Sequence, residues 1–575
     1  MKLSPWGLEL VAESPHAVIS LDPSGAVTTR VHNGTAAPLR LRRVRLTARL
    51  DEDASGGYLW IHGRYMQKDA LLRRFGAPPE SGYLGEYVVA GEGGRRYVSR
   101  GVAALALPRR SPAVLLVGAL RLDRFFFDIE LELDESERCV RSLSLVFDLE
   151  ETELPPGGDL ELPAVRVAAG LEPWPLIEGW ADEVAREMRA RVPDHVPTGW
   201  CSWYYFYNRV SEADIRANVE EMARQRHPAE YVQIDDGFQS STGDWLTPNE
   251  RFPSGMRALA DLIRGRGYKP GLWLAPLVLH EASATLREHP ELALRTPEGE
   301  VYFVDTWLGR CAVLDCTRSD AEAWLRRVVR TAVRDWGYVY LKLDALAFAA
   351  VSSELVRYSR AGTTGPAHLH RALEVVREEA GDETFILGCT CHFGSAIGVV
   401  DAMRVGPDVK AVWADGPRPS VRHAMRMTLQ RNWMHRRWWI NDPDCLIVRE
   451  SSTQLSEVEV RFLASAIVLS GGMVVASDDL PALTPARRQL ALALFPPVGR
   501  AARPLDLGEG PVPSLWRVEL DGQALLGLLN WDDTARDVEV AAHGAGLTDF
   551  WSNAPQEQTI RLQPHEGRLL RVKQS

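Results

Sequence analysis

From about residue 7 to 170, apolar and polar positions alternate in short runs separated by turn residues. Ala26-Val27-Thr28-Thr29-Arg30-Val31 follows the turn Pro23-Ser24-Gly25, and Phe125 to Leu133 alternates through Phe127, Ile129 and Leu131. A period of two places one set of side chains on each face of a strand, so this stretch predicts a β-sandwich. Pro155-Pro156-Gly157-Gly158 interrupts the chain near its end. From Pro175 to Val192 the apolar spacing through Leu176, Trp180, Val184 and Met188 becomes helical, predicting a helix that bridges two domains.

Beyond Pro197 short apolar runs alternate with amphipathic stretches, the pattern of a parallel sheet. Eight strands are expected, at Gly199–Trp203, Tyr231–Asp235, Gly271–Ala275, Ala312–Asp315, Tyr338–Asp344, Phe385–Cys389, Ala402–Arg404 and Trp438–Asp442. Helix starts are expected at Ser211, at Ser319 with Glu322 three residues on, and at Ser456. The last ~80 residues return to strand texture, as in Leu515 to Leu520 and Arg568 to Val572. The expected organisation is therefore an N-terminal β-sandwich (1–174), a linker helix (175–196), a central (β/α)8 TIM barrel (197–485) and a small C-terminal antiparallel β-domain (486–575).

Composition narrows the function. Lys+Arg 66 against Asp+Glu 77 gives a net charge of -11, with no basic stripe, which argues against a nucleic-acid partner. The N-terminal residues Met1 to Trp6 lack the apolar run of a signal peptide, and no segment reaches about 18 uninterrupted apolar residues, so no membrane partner is expected and the location is read as cytoplasmic. The cysteines, at 139, 201, 311, 316, 389, 391 and 445, show no CxxC pairing with histidines. They read as reduced thiols, with no metal and no cofactor implied. Lysine is rare, which singles out Lys342 in an otherwise apolar run. The chain also has 18 Trp, and flat aromatic faces suit the C–H face of a sugar, although Trp is more often core.

In a barrel of this kind the active site lies at the C-terminal ends of the strands. Nearly every expected strand here ends in polar residues: Cys201-Ser202-Trp203, Asp235-Asp236, Asp315, Lys342 with Asp344, Cys389, Arg404 with Asp408, and Asn441-Asp442. So many carboxylates repel one another unless they meet cations or a polyhydroxylated ligand. The strand period puts Lys342 and Asp344 on one face, where each is expected to hold the other charged. Asp408 follows the turn Gly406-Pro407, and two carboxylates on nonadjacent strand ends are the minimum equipment for glycoside hydrolysis. The bland alternatives are a structural ion pair for the first and a helix-capping loop residue for the second.

The ordered series Pro197 to Tyr204, Gln233-Ile234-Asp235-Asp236-Gly237, Gly243-Asp244-Trp245, Pro270 to Pro276, Lys342-Leu343-Asp344, Ile386 to Cys389, Met403 to Asp408 and Asn441-Asp442-Pro443-Asp444 resembles the bacterial α-galactosidases of glycoside hydrolase family 36. The resemblance covers about residues 197 to 480. It implies Asp344 as nucleophile and Asp408 as general acid/base. It further implies Asp235 and Asp236 as acceptors from the galactose O4 and O6 hydroxyls, Trp203 and Trp273 as aromatics lining the sugar pocket, Lys342 as a ligand of sugar hydroxyls, and Cys389 with Arg404 around O2. The sequence departs from the family after Cys389, where Thr390-Cys391-His392-Phe393 replaces small residues and Pro-Leu, and His392 is expected to pack. It also lacks the family's Gln-Ser-Trp loop, the nearest segment being Tyr58 to Gln67.

The expected activity is retaining, exo-acting hydrolysis of terminal α-galactosyl residues from α-galactoside oligosaccharides through a covalent galactosyl-enzyme. Alternatives on the same scaffold are an α-N-acetylgalactosaminidase or an α-galactosyl transferase, and, in another class, a non-catalytic carbohydrate-binding protein. The last gives no reason for retaining both Asp344 and Asp408.

Overall fold

The computed structural model describes residues 1–3, 6–67, 70–77, 88–91, 94–414, 418–541 and 546–573. Two seven-stranded antiparallel sheets stack in the N-terminal part. The expected alternation is visible in Phe126–Asp134, where every second residue is buried. Two central strands, Val102–Ala106 and Val114–Ala119, are buried along their whole length because a helix covers the face that would otherwise meet water.

That helix is Pro173–Glu187, starting two residues earlier than the spacing suggested and ending sooner, with Trp174, Ile177, Trp180, Ala181 and Val184 buried. The Trp180 indole donates to Ala119 O at 3.0 Å, while the Trp438 indole, from the barrel, donates to Ala181 O at 3.0 Å. The helix thus holds sandwich and barrel together. A Cβ at Gly118 would lie 2.4 Å from the Trp180 indole nitrogen, so this contact requires glycine.

The central sheet has eight parallel strands. In chain order they are Thr198–Cys201, Tyr231–Ile234, Lys269–Leu274, Tyr340–Leu343, Phe385–Gly388, Ala402–Arg404, Ile440–Asp442 and Val474–Ala476. The ring closes where Met473 N–H donates to Asn441 O at 2.9 Å and Leu446 forms a parallel bridge with Ala476. Seven of the expected strands are here. The segment expected as the fourth is not: Gly309–Val313 pairs antiparallel with Val278–His280 and Phe303–Thr306 in a small sheet inserted after the third barrel strand. The eighth strand is Val474–Ala476, which pairs with the first. Both are short apolar runs, and only tertiary pairing separates them.

Ser211 and Ser456 begin their helices with capping boxes, with Asp214 and Glu459 respectively. Ser319 does not cap; it is the first helical residue and Arg318 takes the cap position. Past the barrel, a five-stranded antiparallel sheet and a two-stranded one close the chain, the former packed on helix Glu457–Ser470. The seven cysteines are unpaired. Among the described residues no helix is long and apolar enough to cross a membrane.

Candidate active site

The residues given catalytic or sugar-binding roles from the sequence sit at the C-terminal ends of barrel strands or just beyond them, and hydrogen bonds join most of them. Lys342, next to last in the fourth strand, places its ammonium 3.0 Å from Asp235 Oδ2, just past the second strand. Its hydrogen-bonded partner is therefore Asp235, while the Asp344 carboxylate, as expected, adds to the field that keeps the ammonium charged. Alternate strands of a barrel contribute side chains to one interior layer, so an inward Lys meets a strand two places away more readily than its own neighbour along the chain. The Asp235 carboxylate holds the Lys342 ammonium well protonated despite burial. Asp235 also accepts from Gln233 Nε2 and from the Asp236 N–H at 2.9 Å, and its own N–H donates to Ser202 Oγ at 3.0 Å.

Asp236 is buried, with Gln239 Nε2 donating to it at 2.6 Å. Burial, then repulsion from Asp235 and Asp344, pushes its carboxyl up to about 6. A carboxylate held this way gains from a ligand that brings hydroxyl donors.

Asp344 follows the fourth strand. Its Oδ2 accepts from the Trp273 indole at 3.1 Å and its Oδ1 from the Ala345 N–H at 2.7 Å. Both oxygens are thereby oriented. Ala345 takes a left-handed conformation, φ 57°, which turns its N–H back onto the carboxylate. Trp273 in turn packs edge-on against Trp245, ring centroids 5.8 Å apart. Trp203, half-buried at the start of a short helix after the first strand, packs edge-on against Tyr207.

Arg404, buried at the end of the sixth strand, donates from Nη2 to Asp408 Oδ1 at 2.9 Å and also to Asp444. The Asp408 side chain is 45 % exposed, so it faces solvent from a fixed point. Asp444 closes the motif Asn441-Asp442-Pro443-Asp444 but is given no role by the sequence, yet its Oδ2 also accepts from the Tyr204 hydroxyl and from Val409 N–H at 2.7 Å. Its backbone has φ 79°, unusual for a residue with a Cβ. The available sequence signal was a second carboxylate just after Pro443, past the end of the seventh strand.

Cys389 is buried beside these groups, its thiol pushed up first by burial and then by the Asp344 carboxylate. The N-terminal sandwich reaches the same place. Met66 Sδ lies 3.9 Å from Cys389 Sγ and 3.4 Å from Thr390 N, Gln67 Nε2 donates to Thr390 Oγ1 at 3.0 Å, and Phe393 N–H donates to Arg64 O at 2.9 Å. The segment Tyr58 to Gln67 therefore buttresses the strand end that carries Cys389.

Two other residues lie apart from this chemistry. Asp315 accepts from Thr317 and Ser359, bracing two loops instead of ending a barrel strand. His392 is packed as expected: its Nδ1 lies 2.8 Å from Ser395 Oγ, its ring meets Phe126 edge-on, and burial drives its pKa down to about 3.

Similarity to known proteins bears on the same region. A family model described as Melibiase matches residues 201–362. Curated relatives include α-galactosidases of Lactobacillus acidophilus, 28% identical over 120 residues, and of Geobacillus stearothermophilus, 25% identical over 157 residues. These matches cover 20% and 25% of this chain and only 16% and 20% of the relatives' own lengths. The likeness of structure is broader. An α-galactosidase from Thermus thermophilus, solved in complex with stachyose, superposes with TM-score 0.65 at 28% identity over 86% of this chain and 99% of that one. The Geobacillus stearothermophilus α-galactosidase AgaA, in complex with 1-deoxygalactonojirimycin, superposes with TM-score 0.62 at 14% identity over 95% of this chain and 79% of that one, a likeness of fold.

Proposed function

We propose that this chain, a relative of the bacterial α-galactosidases of glycoside hydrolase family 36, is an exo-acting retaining α-galactosidase that hydrolyses terminal α-galactosyl residues of oligosaccharides. The observation that carries the reading is the convergence on one barrel mouth of Asp235, Asp236, Trp273, Lys342, Asp344, Arg404 and Asp408, linked by the contacts above. In solved complexes the Thermus thermophilus relative holds stachyose and p-nitrophenyl α-D-galactopyranoside.

In this reading Asp344 attacks the anomeric carbon, its carboxylate held by the Trp273 indole and the Ala345 N–H. Asp408 gives its proton to the glycosidic oxygen as the bond breaks, forming a β-galactosyl ester on Asp344. The solvent-facing Asp408 then takes a proton from water, which attacks the anomeric carbon, frees the Asp344 carboxylate and releases galactose with its α-configuration kept. Asp235 and Asp236 accept from O4 and O6, Lys342 donates to ring hydroxyls, Trp203 and Trp273 line the ring, and Cys389 with Arg404 face O2. That last crowded corner favours galactose over its 2-acetamido analogue.

A panel of nitrophenyl α- and β-glycosides tests the assignment. Turnover confined to the α-galactoside is expected. Turnover of the α-N-acetylgalactosaminide instead would replace the substrate, and binding without turnover of any glycoside would return the protein to the non-catalytic class.

A further inference from the structure

Of the 18 Trp, all within the described residues, only Trp307 is exposed, at 50 %. It occupies the tip between Phe303–Thr306 and Gly309–Val313, in the small sheet inserted after the third barrel strand, which is the same face of the barrel as Asp344. The tip is held firmly. Thr306 Oγ1 donates to Gly309 O and accepts from Leu308 N–H, both at 3.0 Å, and Arg310 covers the Phe303 ring at 4.3 Å. Behind Trp307 stands Phe348, ring centroids 6.0 Å apart and planes inclined by 49°. Phe348 lies in the turn Leu346–Ala349, which begins two residues after Asp344, and that turn is tied to the segment after the fifth strand by Ala347 N–H donating to Thr390 O at 2.5 Å.

Leaving half an indole in water forgoes apolar burial, and a stiff tip gives the ring no route into the core. The groups assigned to galactose, such as Asp235, Trp273 and Lys342, are buried in the barrel, whereas Trp307 stands at the rim. A ligand long enough to leave the pocket meets it there. We propose that Trp307, backed by Phe348, is a stacking platform for a sugar ring on the leaving-group side of an α-galactosyl oligosaccharide, a subsite supplied by this inserted sheet. The proposal rests on the α-galactosidase reading and names where the rest of its substrate lies.

The test compares kcat/KM for stachyose and for methyl α-galactoside, whose leaving group is too small to reach the rim. Trp307→Ala should lower kcat/KM for stachyose about tenfold, mostly through KM, and leave methyl α-galactoside within about twofold, while Trp307→Tyr keeps most of the stachyose rate. Equal losses on both substrates, no loss on either, or a change of oligomeric state accompanying equal losses would each overturn the subsite. If Trp307→Ala does not fold, the same comparison is made with Trp307→Gln. An unmutated protein that turns over neither substrate would sink the α-galactosidase reading itself; turnover of both with no selective effect at Trp307 sinks only the platform.

Discussion

The Asp444 carboxylate accepts a hydrogen bond from the backbone N–H of Val409 at 2.7 Å, one residue past Asp408. The same oxygen accepts from Arg404, which itself donates to Asp408. Asp444 therefore fixes both the backbone and the side-chain partner of the proposed acid/base without being the proton donor. A general acid matters most when the leaving group is poor. Asp444→Asn is expected to lower kcat on a methyl or sugar leaving group by about 100-fold and on 2,4-dinitrophenyl α-galactoside much less. A merely structural role would depress both rates alike and lower the melting temperature in step.

The roles of the two central carboxylates separate by chemical rescue. Removing the nucleophile opens space on the β face, and removing the acid/base opens it on the α face of the intermediate. Azide added to Asp344→Gly should yield β-galactosyl azide, and azide added to Asp408→Gly should yield α-galactosyl azide. The same anomer from both variants would reverse or erase the assignment.

How much of this was legible in the sequence differs by kind of interaction. Strand ends carrying Asp235, Asp344, Arg404 and Asp408 were visible because a polar residue closing an apolar run stands out locally. What was not visible required the ring. Period two placed Lys342 and Asp344 on one face, yet the ammonium pairs with Asp235 across the barrel, a partner 107 residues away. Ala312–Asp315 and Val474–Ala476 are both short runs made mostly of apolar residues, so nothing local says which is the barrel strand. Met66 beside Cys389 depends on how the sandwich seats on the barrel, a contact spanning 323 residues.

Asp236 links activity to stability. Its carboxyl has an ordinary value of 3.8 and is pushed up to about 6 in the folded protein by burial and by Asp235 and Asp344. The folded state therefore binds this proton more tightly than the unfolded state. Its contribution is fully present below about 3.8, is lost as pH rises through about 6, and leaves an ionised buried carboxylate opposing folding above that. Asp236→Asn should accordingly raise the melting temperature at pH 8 and have little effect near pH 4, while abolishing most turnover. Thermal scans of both proteins at the two pH values check the sign; a variant less stable at pH 8 would mean that Asp236 braces the loop before Gly237.

Sugar specificity should be set at O4. Asp235 and Asp236 are consecutive, both buried, and Asp236 gains least from protein donors, with Gln239 the side chain that donates to it. In galactose the axial O4–H and the neighbouring O6–H can donate to this pair together, whereas glucose directs O4 away in the ring plane. A site built to bond a hydroxyl at one position leaves its own buried groups unpaired when the hydroxyl is elsewhere, and such mismatches cost on the order of 10⁴-fold in kcat/KM. The ratio of kcat/KM for nitrophenyl α-galactoside over α-glucoside is expected near that size. Asp236→Asn should shrink the ratio as well as the rate, because it removes the acceptor that tells the two epimers apart; comparable values already in the unmutated protein would mean that the Asp pair does not read O4 and that the substrate is another sugar.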